Sequence, residues 1–151
     1  MTATAIRVLV CDDHPVVREG IAAMLETQQD FEVIGEVSDG SEAVARVAQG
    51  GVDIVLMDLA MAQMDGAEAT RRIRALDQPA HVIVLTAYDT DERILEAVQA
   101  GAQGYLLKGA RRDEIFNAVR VVHSGGSLLQ PEVASSLLRS LTGASRATTP
   151  A

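Results

Sequence analysis

The chain predicts a doubly wound α/β fold, a five-stranded parallel sheet with helices on both faces. Three observations lead there. Segments with strand patterning and segments with helical patterning alternate between Ile6 and Ser124, and such alternation builds a parallel sheet. Three of the strand segments, at Val8-Leu9-Val10, Ile54-Val55-Leu56-Met57 and Val82-Ile83-Val84-Leu85, are apolar throughout, as strands buried on both faces are. The composition agrees: 48% of residues are hydrophobic but only 3% aromatic, so the core has to be built from Val, Ile, Leu and Ala. At 151 residues the chain is one domain with a short appendage.

The first strand spans Ile6 to Cys11 and ends at Asp12-Asp13. Pro15 suits the first turn of a helix, whose apolar stripe is Val17, Ile21, Met24 and Leu25. Phe31 to Val37 alternates, with Phe31, Val33 and Val37 on one side and Glu32 and Glu36 on the other. That pattern belongs to a strand with one wetter face, near a sheet edge. Asp39-Gly40-Ser41 is turn and cap material, and Ala43, Val44, Val47 and Ala48 mark a second helix that Gly50-Gly51 ends. Asp53 to Met57 is the third strand and Ala60 to Gly66 a loop. Ala69, Ile73 and Leu76 line a third helix, which Pro79 breaks. His81 to Thr86 is the fourth strand. Asp89-Thr90-Asp91 caps a fourth helix carrying Ile94, Leu95 and Val98, closed by Gly101. Gly104 to Leu107 is the fifth strand. Arg111 to Ser124 is the fifth helix, with Ile115, Val119 and Val122 inward, and Gly125-Gly126 closes the domain.

If the alternating second strand is an edge, right-handed crossovers give the strand order 2-1-3-4-5, with its switch point between the first and third strands. Asp12, Asp13 and Asp58 converge there. Each alone has a plain alternative role as a turn residue or helix cap. Together, three carboxylates tolerate one another only around a cation, and all-oxygen ligands suit Mg²⁺ or Mn²⁺. One of them can then attack a phosphoryl group. Thr86 ends the fourth strand and Lys108 follows the fifth. A hydroxyl and an ammonium both bind phosphoryl oxygens, although an ordinary β-branched residue and an exposed lysine are the simpler readings of each alone.

The formal charge of −8 argues against this chain gripping nucleic acid by itself. Cys11 is the lone cysteine, so neither a disulfide framework nor a thiolate metal cluster is available; it reads as a buried structural thiol. His14, His81 and His123 are scattered over a loop, a strand start and a helix end, which favours cap or surface roles over ligation. Met57, Met61 and Met64 read as packing residues, and Arg111-Arg112 as a small basic patch. Met1 to Ala5 lacks signal-peptide character and no run reaches membrane-spanning length, so a cytoplasmic protein with no membrane partner is expected.

These residues resemble the receiver domain of bacterial two-component response regulators. The likeness is carried by Val8-Leu9-Val10-Cys11-Asp12-Asp13, Val55-Leu56-Met57-Asp58, Met61 with Met64-Asp65-Gly66, Val84-Leu85-Thr86-Ala87, and Gly104-Tyr105-Leu106-Leu107-Lys108. Asp13-His14-Pro15-Val16-Val17-Arg18 and Gly101-Ala102-Gln103-Gly104 look like the NarL/FixJ (LuxR-type) subfamily. The resemblance covers about residues 6 to 124 and implies a flavodoxin-like (CheY-like) fold. It implies that Asp58 accepts a phosphoryl group from a sensor histidine kinase or a small donor such as acetyl phosphate. Asp13, Asp58 and the Ala60 backbone carbonyl would bind Mg²⁺ directly, and Asp12 through water. Lys108 would pair with the phosphoryl group, Thr86 would move toward it, and Tyr105 would swing inward behind it. Such a domain is a switch rather than an enzyme with turnover, and it can form a homodimer on phosphorylation.

The chain departs from the family pattern at Ala62 and at Gly109, where prolines are usual. Those departures leave room for a phosphorylation-independent interaction module of the same fold. A Mg²⁺-dependent phosphatase with an aspartyl nucleophile is a third reading, weakened because such enzymes resemble Asp-x-Asp after the first strand. The expected layout is a receiver over residues 1–126, a linker helix over 127–141 carrying Val133, Ala134, Leu137, Leu138 and Leu141, and a disordered linker over 142–151. The helix-turn-helix domain that would contact DNA is absent from this chain.

Overall fold

The computed structural model describes residues 4–61, 63–86 and 90–147. Ala62, Ala87, Tyr88 and Asp89, which carry part of the motif and capping expectations, lie outside the described residues. The alternation is realised as β1 (Ile6–Cys11), α1 (Pro15–Leu25), β2 (Phe31–Val37), α2 (Gly40–Ala48), β3 (Ile54–Met57), α3 (Gly66–Ala75), β4 (His81–Thr86), α4 (Asp91–Gln99), β5 (Gly104–Leu107), α5 (Arg112–His123), β6 (Leu128–Leu129) and α6 (Pro131–Ala147). The sheet is parallel, in the order β2-β1-β3-β4-β5-β6. It thus contains the expected 2-1-3-4-5 order and adds one strand.

Two apolar layers sandwich the sheet. On one face Leu25 of α1 and Ile115, Phe116, Val119 and Val122 of α5 cover Val8, Val10, Leu56, Ile83 and Leu106. On the other, Ala43 and Val47 of α2, Ala69 and Ile73 of α3, and Ile94 and Ala97 of α4 cover Leu9, Val55, Met57, Val82 and Val84. The two sets alternate along each strand, as the two-residue period of a strand requires. Leu9, Val55 and Leu56, with their neighbours in the central strands, are sealed from solvent, and this rigid platform fixes the strand ends where the polar residues sit.

Four expectations change. In β2 the pairing with β1 slips between Val8 and Leu9: Val33 lies opposite Val8 but Gly35 opposite Leu9. The extra residue, Ile34, is a bulge, and a bulge reverses the faces beyond it. Val37 therefore packs with the α2–α4 layer, while Phe31 and Val33 pack with the α1–α5 layer. In α1, Ala22 and Leu25 are buried, and Ile21 and Met24 of the expected stripe pack partly buried against the same layer. Only Val17 of that stripe is exposed.

The third change is β6. The sheet does not stop at the glycine pair: Leu128 and Leu129 pair with Gly104 and Tyr105, so the receiver extends past residue 126. Last, α6 continues to Ala147 rather than ending at Leu141. Gly143 weakens a helix by only about 1 kcal/mol, and Ala144, Arg146 and Ala147 are good formers, with no proline until Pro150. Residues 142–147 are thus helical rather than disordered; residues 148–151 lie outside the described residues.

Candidate functional site

At the carboxyl edge of the sheet the parallel register brings the polar strand ends together. Cys11 pairs with Met57, so Asp12 and Asp58 leave adjacent strands side by side; Asp58 N donates to Cys11 O at 3.0 Å. Thr86 pairs with Leu107, and Lys108 N donates to Thr86 O at 2.7 Å. The Lys108 ammonium reaches back across the edge to Asp12 Oδ2 at 2.6 Å and Asp58 Oδ2 at 3.3 Å. Asp12, Asp58 and Thr86 are all buried. Of the sequence-predicted set, Asp12, Asp13, Asp58 and Lys108 therefore meet in one place. Thr86 stands beside them, and Ala60 adjoins Asp58 through its backbone N–H, 3.4 Å from Asp58 Oδ1. Tyr105 is fully buried within β5.

The loop after Asp58 is shaped by Gly66, the first residue of α3. A Cβ there would lie 2.4 Å from the Asp58 carbonyl oxygen, so only glycine lets the helix start approach the strand end. Gly66 N donates to Leu59 O at 3.0 Å, and Asp65 caps the helix through Glu68 N. Gly109 meets nothing within 4 Å, and no cis peptide bond occurs among the described residues. Lys108 reaches both carboxylates without a proline after it.

The sequence predicts a cap or surface role for His14. It is the N-cap residue of α1 without a capping side-chain bond. Its Nδ1 lies 3.2 Å from Asp12 Oδ1 and 3.0 Å from Asp13 Oδ1. A lone histidine in a loop gives no periodic signal, so only the fold reveals that it adjoins the carboxylates. Arg18 was missed as well: its Nη1 donates to the Asp12 carbonyl at 3.0 Å and braces the loop.

Burial, the largest influence, pushes the Asp58 carboxyl above the usual range; Lys108 opposes it and the Asp12 charge adds to it. Burial also pushes Asp12 upward, but bonds from Lys108 and His14 outweigh it, and Asp12 is held below the usual range. Desolvation lowers Lys108, yet the two carboxylates win and raise it. The Cys11 thiol is driven strongly upward, first by burial, which keeps it inert and fits the structural role read from sequence.

The donor set fits a hard divalent cation. Asp12, Asp13, His14 and Asp58 each offer one ligand atom, and these lie within 4.8 Å of one another. Asp12 Oδ2, Asp13 Oδ1 and Asp58 Oδ2 are buried, with the Lys108 ammonium beside the first and third and His14 Nδ1 beside the second. Buried oxygens of that kind are costly unless a charge answers them, and Lys108 alone answers two of them.

Residues 8–120 match the family described as the response regulator receiver domain. The chain belongs to this family. It is 47% identical over 137 residues to the transcriptional regulatory protein LiaR of Bacillus subtilis, covering 90% of this chain and 64% of that protein. It is 42% identical over 128 residues to the response regulator protein VraR of Staphylococcus aureus, covering 85% of this chain and 61% of that one. Among solved structures, a LuxR-family two-component response regulator from Aurantimonas is 33% identical, with a TM-score of 0.83 over 93% of this chain and 99% of that chain. The receiver is therefore of the NarL/LuxR type. This chain spans less than two thirds of the length of both relatives. Among the described residues, no helix is long and apolar enough to cross a membrane.

Proposed function

We propose that this receiver accepts a phosphoryl group on Asp58 from a sensor histidine kinase and thereby switches a transcriptional regulator. The observation that carries the reading is the Asp58 carboxylate itself. It is buried at the strand end, and its Oδ2 faces the Lys108 ammonium at 3.3 Å. In the transfer, an Asp58 carboxylate oxygen forms a bond to phosphorus as the P–N bond of the donor phosphohistidine breaks, and the departing imidazole takes a proton from solvent. Lys108 would offset charge on the transferred oxygens, and the Thr86 hydroxyl would hold one of them. Asp12, Asp13, Asp58 and the Ala60 carbonyl would hold Mg²⁺ or Mn²⁺, which when bound neutralises the carboxylates and the incoming phosphoryl oxygens. The chain promotes only its own phosphorylation and dephosphorylation. Output to DNA would run through a helix-turn-helix domain outside this chain, and the setting is the cytoplasm.

Incubation with Mg²⁺ and acetyl phosphate is expected to add one phosphate by intact mass. Asp58→Asn is expected to abolish the addition; equal labelling of that variant would sink the assignment.

A further inference from the structure

The chain leaving β1 turns tightly at His14. The His14 backbone N–H donates to Asp12 Oδ1 at 2.9 Å, and Arg18 Nη1 donates to the Asp12 carbonyl at 3.0 Å. Pro15 follows, and a residue before proline is held to extended backbone; His14 has φ −99° and ψ 107°. From this fixed backbone the ring makes no capping bond to α1 and turns to the acid pair instead. Its Nδ1 is 3.2 Å from Asp12 Oδ1 and 3.0 Å from Asp13 Oδ1. Phosphoryl transfer to Asp58, as described above, makes no use of this nitrogen.

Charge sets what the cluster takes. Asp12, Asp13 and Asp58 bring three carboxylates to one place, and the Lys108 ammonium answers with a single positive charge. Asp12 and Asp58 are 1% and 4% exposed, so water screens little of the remainder. A divalent cation balances it. Which cation is preferred depends on the donors. Mg²⁺ takes oxygen ligands and keeps several waters, whereas imidazole suits first-row transition ions. His14 belongs to the donor set: one of its ring nitrogens and one carboxylate oxygen from each of Asp12, Asp13 and Asp58 all lie within 4.8 Å of one another.

We propose that His14 is a specificity-determining ligand of this site, and that its nitrogen shifts the preference from Mg²⁺ toward Mn²⁺ and the later first-row divalent ions. The proposal rests on the metal-dependent phosphoacceptor reading and adds which ion the site selects. The three carboxylates serve either kind of ion. The imidazole serves only an ion that accepts nitrogen, so it separates the two classes. Little ordering is needed for the ring to act, because Pro15 and the bonds to Asp12 already hold its backbone in place.

The test is an electron paramagnetic resonance titration of the full chain with Mn²⁺, in competition with Mg²⁺, read on the equivalent of Mn²⁺ that Asp13→Ala removes. Pulsed measurements on that equivalent are expected to show coupling to a nitrogen, which His14→Ala abolishes. The ratio of Mn²⁺ to Mg²⁺ affinity is expected to fall by about tenfold in His14→Ala. The comparison is between parent and variant because Mn²⁺ and Mg²⁺ differ in affinity for any site of this kind. Phosphate addition from acetyl phosphate in Mg²⁺ is followed on the parent in parallel. Bound Mn²⁺ without nitrogen coupling, or a ratio that His14→Ala leaves unchanged, would overturn the proposal, and phosphate on Asp58 would leave the phosphoacceptor reading standing. Neither a bound cation nor added phosphate would overturn both.

Discussion

At the residue scale, Asp58 is kept in a state its surroundings penalise. Burial and the Asp12 charge raise its carboxyl pKa against the pull of Lys108, so the folded protein binds that proton more tightly than the unfolded chain does. Ionised Asp58 therefore costs stability. The cost is full above the raised folded value, fades as pH falls through it, and is gone below the ordinary carboxylate range. Asp12 has the opposite sign: its lowered carboxyl contributes stability that is lost as pH falls through its folded value. Asp58→Asn in chelator at pH 7 is accordingly expected to be more stable than the parent by about 1 kcal/mol, roughly 2–4 °C in Tm for a chain of this size. Thermal unfolding across pH should show that advantage disappear in acid; an advantage independent of pH would mean that the carboxylate charge is not its source.

A cation reverses the ranking. Binding only to the folded state stabilises it by about 1.4 kcal/mol at ten times Kd. Mg²⁺ is thus expected to raise the Tm of the parent and leave Asp13→Ala and Asp58→Asn nearly unmoved. A parallel Tm rise in all three proteins would show that Mg²⁺ binds elsewhere.

At the element scale, the loop between β3 and α3 depends on a missing methyl group. The ideal Cβ of Gly66 falls 2.4 Å from the Asp58 carbonyl oxygen and 2.8 Å from Leu59 Cα. Both are backbone atoms that no rotamer change relieves. Gly66→Ala is expected to cost about 1–3 kcal/mol in urea unfolding and to slow phosphorylation by displacing the acceptor. Gly109→Ala, which points into open space, should stay within about 0.5 kcal/mol. Equal losses at the two positions would remove the close approach as the explanation.

This scale also divides what the sequence exposes from what it hides. Asp12, Asp58, Thr86 and Lys108 were legible because each follows an apolar run, and parallel register turns strand ends into neighbours. The β2 bulge was not, because Ile34 and Val37 are both apolar and a one-residue slip leaves the composition unchanged. Nor was the place of His14, since contact with Asp12 and Asp13 depends on the local turn and not on spacing.

At the scale of the whole molecule, the segment after Gly126 is part of the receiver's sheet and core. Two residues are too few for a strand period to be seen in sequence, and β6 exists because β5 offers an open edge. Leu128 N donates to Gln103 O at 3.0 Å and Gln130 N to Tyr105 O at 3.1 Å, Gln130 Oε1 covers Leu107 N, and Val133 seals the layer above. A chain cut after Gly126, where glycines suggest a boundary, would leave these β5 groups unpaired and strip Val133 from the core. Loss of one fully buried valine alone is worth about 1.5 kcal/mol or more. The shortened chain is expected to unfold at least about 2 kcal/mol more easily once the lost hydrogen bonds are added, and to associate through the bared edge. A chain cut after Ala147 keeps β6 and α6 and should match the parent in denaturant midpoint and in sedimentation. If both cuts behave alike, β6 and α6 are a tail resting on a domain already complete at Gly126; if only the shorter one weakens and associates, the folding unit runs into α6.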